Sequence, residues 1–307
     1  YFEDGKIKEQ GTFLEGEKHG KIKQFYPSGS IKTFGNYGRG KRHGEWIYYD
    51  GKGIVKATEI YRYNKLQEQN LEIRVLMPRF GSINERRHRL HEVVRLSGIN
   101  VVVNDEDYPL IIKVASLPGA RLQVYFLDND DYFKRKEMFQ DKNGKNFEDN
   151  ADRMMFFGLG AIDIVRKFGW APDVIHCHGW MTSLMPLLLK TQYKTEPIFE
   201  NSKVVFTAYQ EESFDGVITE NFTDFVTRNT DIEADMLAPF GESTENDLNL
   251  GGLHYADAVT LGSDDFEDDV MAKFEALDLP KLPYNSENDI LIDYAKFIKD
   301  LATSQDE

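Results

Sequence analysis

A 24-residue period runs through the first quarter of the chain and constrains its fold more than any other feature. Gly5, Gly29 and Gly53 are in register, as are Ile7, Ile31 and Val55, and Phe13, Tyr37 and Tyr61. Gly11 matches Gly35, Gly16 matches Gly40, the pair His19-Gly20 matches His43-Gly44, and Tyr1, Phe25 and Tyr49 continue the series. A unit this short cannot bury its own aromatic face, so neighbouring units must stack. Phe25-Tyr26 runs into Pro27-Ser28-Gly29, a turn in which proline presets φ and glycine accepts a positive one. Ile31 to Tyr37 then alternates apolar and polar residues as a strand does. Gly38 to Gly44 reads as a second turn and Glu45 to Tyr49 as the next strand. The expectation for residues 1–69 is a row of antiparallel β-hairpins. His19 and His43 fall at equivalent turns with no recurring base or nucleophile beside them, which assigns them a structural role.

Charge separates this segment from the rest. Residues 1–69 carry 13 Lys and Arg against 9 Asp and Glu, whereas residues 70–307 carry 24 against 43, a balance of −19. Two segments of opposite sign suggest two modules. The acidic part argues against nucleic-acid binding, which needs a positive face for phosphates. With 41% hydrophobic residues there is apolar material for one large domain or two smaller ones. The longest apolar runs, such as Met181 to Leu189, are too short to span a membrane. The single cysteine, Cys177, excludes a disulfide scaffold and points to a reducing, cytoplasmic compartment. The chain opens at Tyr1 with no methionine and no basic-then-apolar leader, which leaves a removed signal segment open.

Beyond residue 70 the pattern alternates between strands and helices. Leu71 to Met77, Ile99 to Val103, Leu110 to Val114, Leu122 to Leu127, Asp173 to Cys177 and Lys203 to Thr207 read as strands. Ala151 to Phe168 and Thr182 to Thr191 read as helices, the first with Asp149-Asn150 available as a cap. Asn84 to Leu96 reads as a charged helix or long loop. Residues 211–250, with eleven acidic residues and one basic, read as a solvated and partly irregular segment. The expectation for residues 70–307 is a Rossmann-like α/β domain with a mainly parallel sheet, binding ligands at the carboxyl ends of its strands.

Several motifs in both segments resemble known families. Gly40-Lys41-Arg42-His43-Gly44-Glu45-Trp46 and its period resemble MORN-type repeats, which implies a β-meander with an interaction role. Met77-Pro78-Arg79-Phe80-Gly81, Tyr132-Phe133-Lys134-Arg135, Asp149-Asn150 followed by Arg153 and Phe156, Pro172 to Trp180, and Tyr255 to Thr260 resemble segments of starch and glycogen synthases. The likeness is to the N-terminal catalytic domain of these family 5 glycosyltransferases, in particular to short bacterial members holding that domain alone. It implies half of a two-domain (GT-B) transferase. The implied activity is transfer of glucose from ADP-glucose, or UDP-glucose, to the end of an α-1,4-glucan, with retention, without metal or cofactor. A glucan and a nucleotide-sugar are the implied partners, with a protein partner for the repeats.

Departures from the family pattern accompany the resemblance. The Lys-x-Gly-Gly donor loop and the strand before it are not found ahead of Leu71. Gly179 stands where the family has Asp, Met181 where it has His, and Thr207-Ala208-Tyr209-Gln210 where it has Thr-x-His-Asn. The second domain has no room in this sequence, so the expectation is a transferase domain inactive or incomplete by itself. A non-catalytic glucan-binding or protein-interaction scaffold is the alternative. The absent strand is also expected to leave the strands at 71–77 and 173–177 with unpaired edges, to be covered by the repeats, a neighbouring chain or a rearranged strand.

The resemblance places His178, Asp149 and Asn150 in the substrate-binding groove, with no residue assigned to catalysis. The competing roles are structural: His178 satisfying a strand-end backbone group and Asp149 capping its helix. His176 and His178 share one strand face with Cys177 on the other, and no third ligand stands at a familiar zinc spacing. Cys177 reads as a small core residue, and Gly158-Leu159-Gly160 as a site of close helix packing rather than a phosphate loop.

Overall fold

Strand pairing in the computed structural model follows the 24-residue period. The structure describes residues 1–2, 4–14, 16–49, 51–53, 55–62, 65–66, 73–117, 122–210, 218, 221–242, 244–284 and 290–303. It divides into two units, Tyr1–Glu72 and Ile73–Glu307. The join near Gln69-Asn70 lies outside the described residues.

The first unit is a six-stranded antiparallel meander in which each strand pairs with the next. Its strands are β1 (Glu9–Leu14), β2 (Glu17–Phe25), β3 (Ile31–Gly38), β4 (Lys41–Tyr49), β5 (Val55–Arg62) and β6 (Lys65–Leu66). The period acquires a physical meaning in the cross-strand pairs. Gly11 stands opposite Ile22, and 24 residues later Gly35 stands opposite Trp46. A Cβ at Gly11 would lie 2.8 Å from the Ile22 side chain, and one at Gly35 would lie 2.3 Å from the Trp46 ring. Each glycine thus makes room for a large side chain on the neighbouring strand. Trp46 is fully buried, with Tyr37 and Tyr61 edge-on at 5.0 and 6.3 Å and the Arg42 guanidinium 4.4 Å over its ring. The turn expected over 38–44 contracts to Arg39-Gly40, both at positive φ, the geometry that matches the twist of a two-residue hairpin. Lys41 to Gly44 therefore belong to β4, and His19 and His43 stand inside β2 and β4, not at turns.

The second unit holds two sheets where one mainly parallel sheet was expected. In the first, β7 (Arg74–Pro78) lies parallel to β11 (Gln123–Asp128). The strand β10 (Glu106–Ser116) runs antiparallel to β11, to β9 (Ile99–Val103) and to the short β8 (His91–Glu92). The reversal comes from Asn104-Asp105, both at positive φ, which close a tight turn between β9 and β10. In the second sheet β12 (Val174–His178), β13 (Lys203–Ala208), β14 (Ala258–Leu261) and β15 (Lys281–Leu282) are all parallel, in that order. Among the described residues β7 pairs only with β11 and β12 only with β13, so each keeps one edge free.

The helices are α1 (Glu85–His88), α2 (Asp130–Phe133), α3 (Asn150–Phe168), α4 (Met185–Lys190), α5 (Phe222–Asn229), α6 (Glu245–Tyr255), α7 (Asp268–Ala276) and α8 (Ile290–Thr303). The charged stretch after Asn84 forms only one helical turn before β8. The acidic segment is more ordered than its composition suggests. Its described residues include α5, a 3-10 segment over Ala234–Phe240, and α6 with a Thr244–Asp247 capping box. Phe222, Phe225, Val226, Leu237, Phe240, Leu248 and Leu253 are buried, an apolar set interleaved with acids that keep the outer faces wet. The long helix α3 lies on the first sheet, and Gly160 lets it approach: a Cβ there would stand 3.2 Å from Leu110 and 3.4 Å from Leu127. One face of the parallel sheet, carrying Val205 and Ala258, is covered by Leu301, Phe297 and Ile298 of α8. No helix among the described residues is long and apolar enough to cross a membrane.

Candidate functional site

The strand β12 reads Val-Ile-His-Cys-His, and its period-2 alternation decides where each side chain goes. Cys177 enters the main core, 2% exposed, and burial pushes its thiol up to about 12. His176 and His178 share the opposite face, with their rings stacked at 4.0 Å. His178 is the last residue of the strand, exposed on one side. Gly179 follows at positive φ and donates its N–H to the Thr207 carbonyl at 3.0 Å, turning the chain away from the strand end.

Two tyrosines complete this cluster: Tyr209, from the segment that departs from the family pattern, and Tyr294, which no motif singled out. The Tyr209 hydroxyl, one residue past β13, lies 3.1 Å from His178 Nδ1. Its ring rests on Gly262, where a Cβ would stand 2.2 Å away, so the residue after β14 has to be glycine for the ring to sit there. The Tyr294 hydroxyl, from α8, lies 2.5 Å from Nδ1 and 2.8 Å from Nε2 of His176. Behind His176 a hydroxyl chain crosses the sheet: Nε2 to Thr207 Oγ1 at 2.6 Å, and Thr207 to Thr260 Oγ1 at 2.5 Å. Burial pushes His176 down to about 3, helped by the charge His178 would carry, and burial among these rings also lowers His178. Both imidazoles are neutral at physiological pH.

The start of α3 is organised by arginines. Asp149 occupies the N-cap position but makes no side-chain cap bond, because its carboxylate is held by Arg135 in a bidentate pair, Nη1 to Oδ1 at 3.0 Å and Nη2 to Oδ2. The expected capping role therefore gives way to an ion pair, and the Arg135 guanidinium lies 4.3 Å from the Phe147 ring. Asn150 is fully buried: its amide donates to the Phe139 carbonyl at 3.0 Å and its oxygen accepts from Arg153 Nη1 at 2.9 Å. Arg153 is itself fully buried, its Nε donating to the Tyr132 carbonyl, and burial draws it down to about 10. The Phe139 ring meets Trp180 at 4.9 Å, which connects the Asn150 end of α3 to the turn after His178. Among the described residues no bond joins Asp149 to His178 directly. Asp149 and His178 keep polar atoms toward solvent, whereas Asn150 is spent on the scaffold. Arg79, at the end of β7, is held by Asp128 at 2.8 Å and Asp130 at 3.3 Å.

Fold and site define a class: an α/β domain with two imidazoles at the carboxyl end of a parallel strand and an arginine-held carboxylate at the start of the long helix α3. The chain belongs to the family described as the starch synthase catalytic domain, whose model matches residues 64–282. It is 43% identical over 145 residues to a glycogen synthase of Chlorobium limicola, covering 47% of this chain and 30% of that one. It is 38% identical over 200 residues to a glycogen synthase of Chlorobaculum tepidum, covering 65% of this chain and 40% of that one. The chain thus spans less than half the length of these relatives. Among solved structures it is similar to the catalytic domain of starch synthase IV from Arabidopsis thaliana bound to ADP and acarbose, with a TM-score of 0.46, 16% identity, and coverage of 61% of this chain and 37% of that one.

Proposed function

We propose that the α/β unit is the glucan-binding half of a GT-B glucosyltransferase that extends an α-1,4-glucan from ADP-glucose or UDP-glucose with retention. The observation that carries this is the position of His178: a neutral imidazole, open on one side at the end of a parallel strand, inside the stretch matched by the starch synthase family. A neutral ring can both accept from and donate to sugar hydroxyls, and the Asp149 carboxylate, fixed by Arg135, has lone pairs left to accept from them. Preorganised groups of this kind orient a sugar without themselves making or breaking bonds. The arginines near the strand ends are committed elsewhere, Arg79 to Asp128 and Asp130 and Arg135 to Asp149. A sugar nucleotide needs free cations for its phosphates, so the 307-residue chain assayed by itself is expected to bind glucan in preference to donor and to incorporate no glucose.

The hairpin unit belongs to the same proposal as a MORN-type interaction module, supported by the recurring glycine-to-large-side-chain pairs Gly11–Ile22 and Gly35–Trp46. Its partner is a protein, and the setting is cytoplasmic.

Calorimetric titration with maltoheptaose and with ADP-glucose tests the proposal. Maltoheptaose is expected to bind, and His178→Ala to weaken it by about tenfold, the value of one good hydrogen bond at a desolvated site. Absence of glucan binding, or equal binding by His178→Ala, would reject it. Incorporation of labelled glucose that depends on His178 would restore the complete enzyme.

A further inference from the structure

Resting on the proposal that His178 binds sugar, we infer that Tyr294 of the C-terminal helix α8 is a positioning residue for that site, acting on His178 through His176. The three rings form one stack. Tyr294 lies nearly parallel to His176 at 5.3 Å and 20°, and His176 to His178 at 4.0 Å and 27°. The Tyr294 hydroxyl also lies against both nitrogens of the His176 ring, and Thr207 Oγ1 holds Nε2 at 2.6 Å. His176 is therefore fixed in rotation as well as in position. A ring stacked on a fixed ring inherits its plane, and Tyr209 then selects the direction of His178 Nδ1. With that nitrogen engaged, Nε2 remains the polar atom of His178 for a ligand.

The route is indirect, so Tyr294 itself need touch no sugar. The stack also sets a requirement on the far end of the sequence. The rings proposed to face the sugar come from residues 176, 178 and 209, yet the ring that locks them comes from residue 294. Helix α8 otherwise supplies Phe297, Ile298 and Leu301, which cover Val174, Val205 and Ala258. Its apolar residues account for its attachment to the sheet. The tyrosine hydroxyl, aimed at an imidazole, is not needed for that attachment.

The test uses the full 307-residue chain labelled with 15N at histidine. Tyr294→Phe removes the hydroxyl and keeps the ring, and Tyr294→Ala removes both. The expected result is a change in the 15N shifts and tautomer balance of His178, small in Tyr294→Phe and large in Tyr294→Ala, with melting temperature lowered by only a few degrees in Tyr294→Phe, as the loss of one hydrogen bond requires. Maltoheptaose affinity is expected to fall about threefold in Tyr294→Phe and about tenfold in Tyr294→Ala. Unchanged His178 resonances in Tyr294→Ala, in a chain that remains folded by circular dichroism, would overturn the inference. The resonances decide it without any ligand, so a failure of His178→Ala to alter glucan binding would count against the proposed function and leave this inference standing or falling on its own signal.

Discussion

At the scale of single residues, the decisive feature of the site is that its two histidines are kept neutral. His176 has its pKa pushed from 6.5 to about 3 by burial, then by His178. As pH falls below 6.5 the unfolded chain takes up a proton at this residue that the folded protein refuses. Its neutral state therefore contributes stability that is full above pH 6.5 and is lost progressively as pH drops toward 3. His176→Gln should melt lower than the parent at neutral pH, because the bonds to Thr207 and Tyr294 are disturbed, but its melting temperature should fall less steeply between pH 6.5 and 4. Parallel curves for the two proteins would show that His176 does not titrate in this way. Alternation along the strand was enough to place both histidines on one face and Cys177 in the core. The motif at 207–210 drew attention to Tyr209 but not to its partner His178, and nothing local could reveal Tyr294, since each reaches the cluster from an element far away in sequence. The same limit hid the Arg135–Asp149 pair: an Asp before a helix reads as a cap until a tertiary partner claims it.

At the scale of elements, the period of the hairpins was legible because each repeat solves the same packing problem with the same residues. Gly35 opposite Trp46 is its clearest instance. A methyl at Gly35 would stand 2.3 Å from the indole ring, so Gly35→Ala should strain β3 against β4. Trp46→Ala, which empties a fully buried site, should cost about 3–5 kcal/mol in urea unfolding of the hairpin unit. Equal stability of either variant with the parent would contradict this packing. What the period could not fix was the turn, where Arg39-Gly40 at positive φ hands four more residues to β4 than expected. In the α/β unit, strand positions were legible from β-branched runs but sheet membership was not. Whether β10 joins a parallel sheet or reverses depends on two backbone angles at Asn104-Asp105. Unpaired edges on β7 and β12 were expected together with a segment covering them; among the described residues no strand pairs with either edge, and their ends lie near one another. The Arg74 guanidinium sits 4.6 Å from the Trp170 ring just ahead of β12, and Phe139 bridges Phe80 past β7 to Trp180 past β12 at 5.6 and 4.9 Å. Strands with one bare edge exchange their outward amides with solvent. Hydrogen exchange is therefore expected to show fast amides within 74–78 and 174–178 and protected ones throughout 204–208, which lies between two strands. Uniform protection of all three segments would mean that the bare edges are covered.

At the scale of the whole molecule, two cores with different charge surroundings predict two unfolding events. Among the described residues the hairpin unit buries Ile22, Thr33, Trp46 and Ile47, and the hydrophobic clusters of the α/β unit include none before Leu76. Residues 1–69 carry a small excess of basic groups, whereas residues 70–307 carry a balance of −19. Like charges crowded onto one folded surface repel, and the repulsion is relieved as salt shortens its range from about 30 Å at 0.01 M to about 8 Å at 0.15 M. The acidic unit should therefore gain stability as sodium chloride is raised, while the hairpin unit, close to neutral, should hardly respond. Calorimetry of the intact chain at low and moderate salt separates the two. Two transitions are expected: Trp46→Ala should lower one of them, and added salt should raise the other. A single transition that Trp46→Ala and salt both displace would show instead that the hairpin sheet and the α/β unit unfold as one cooperative body, despite their separate cores.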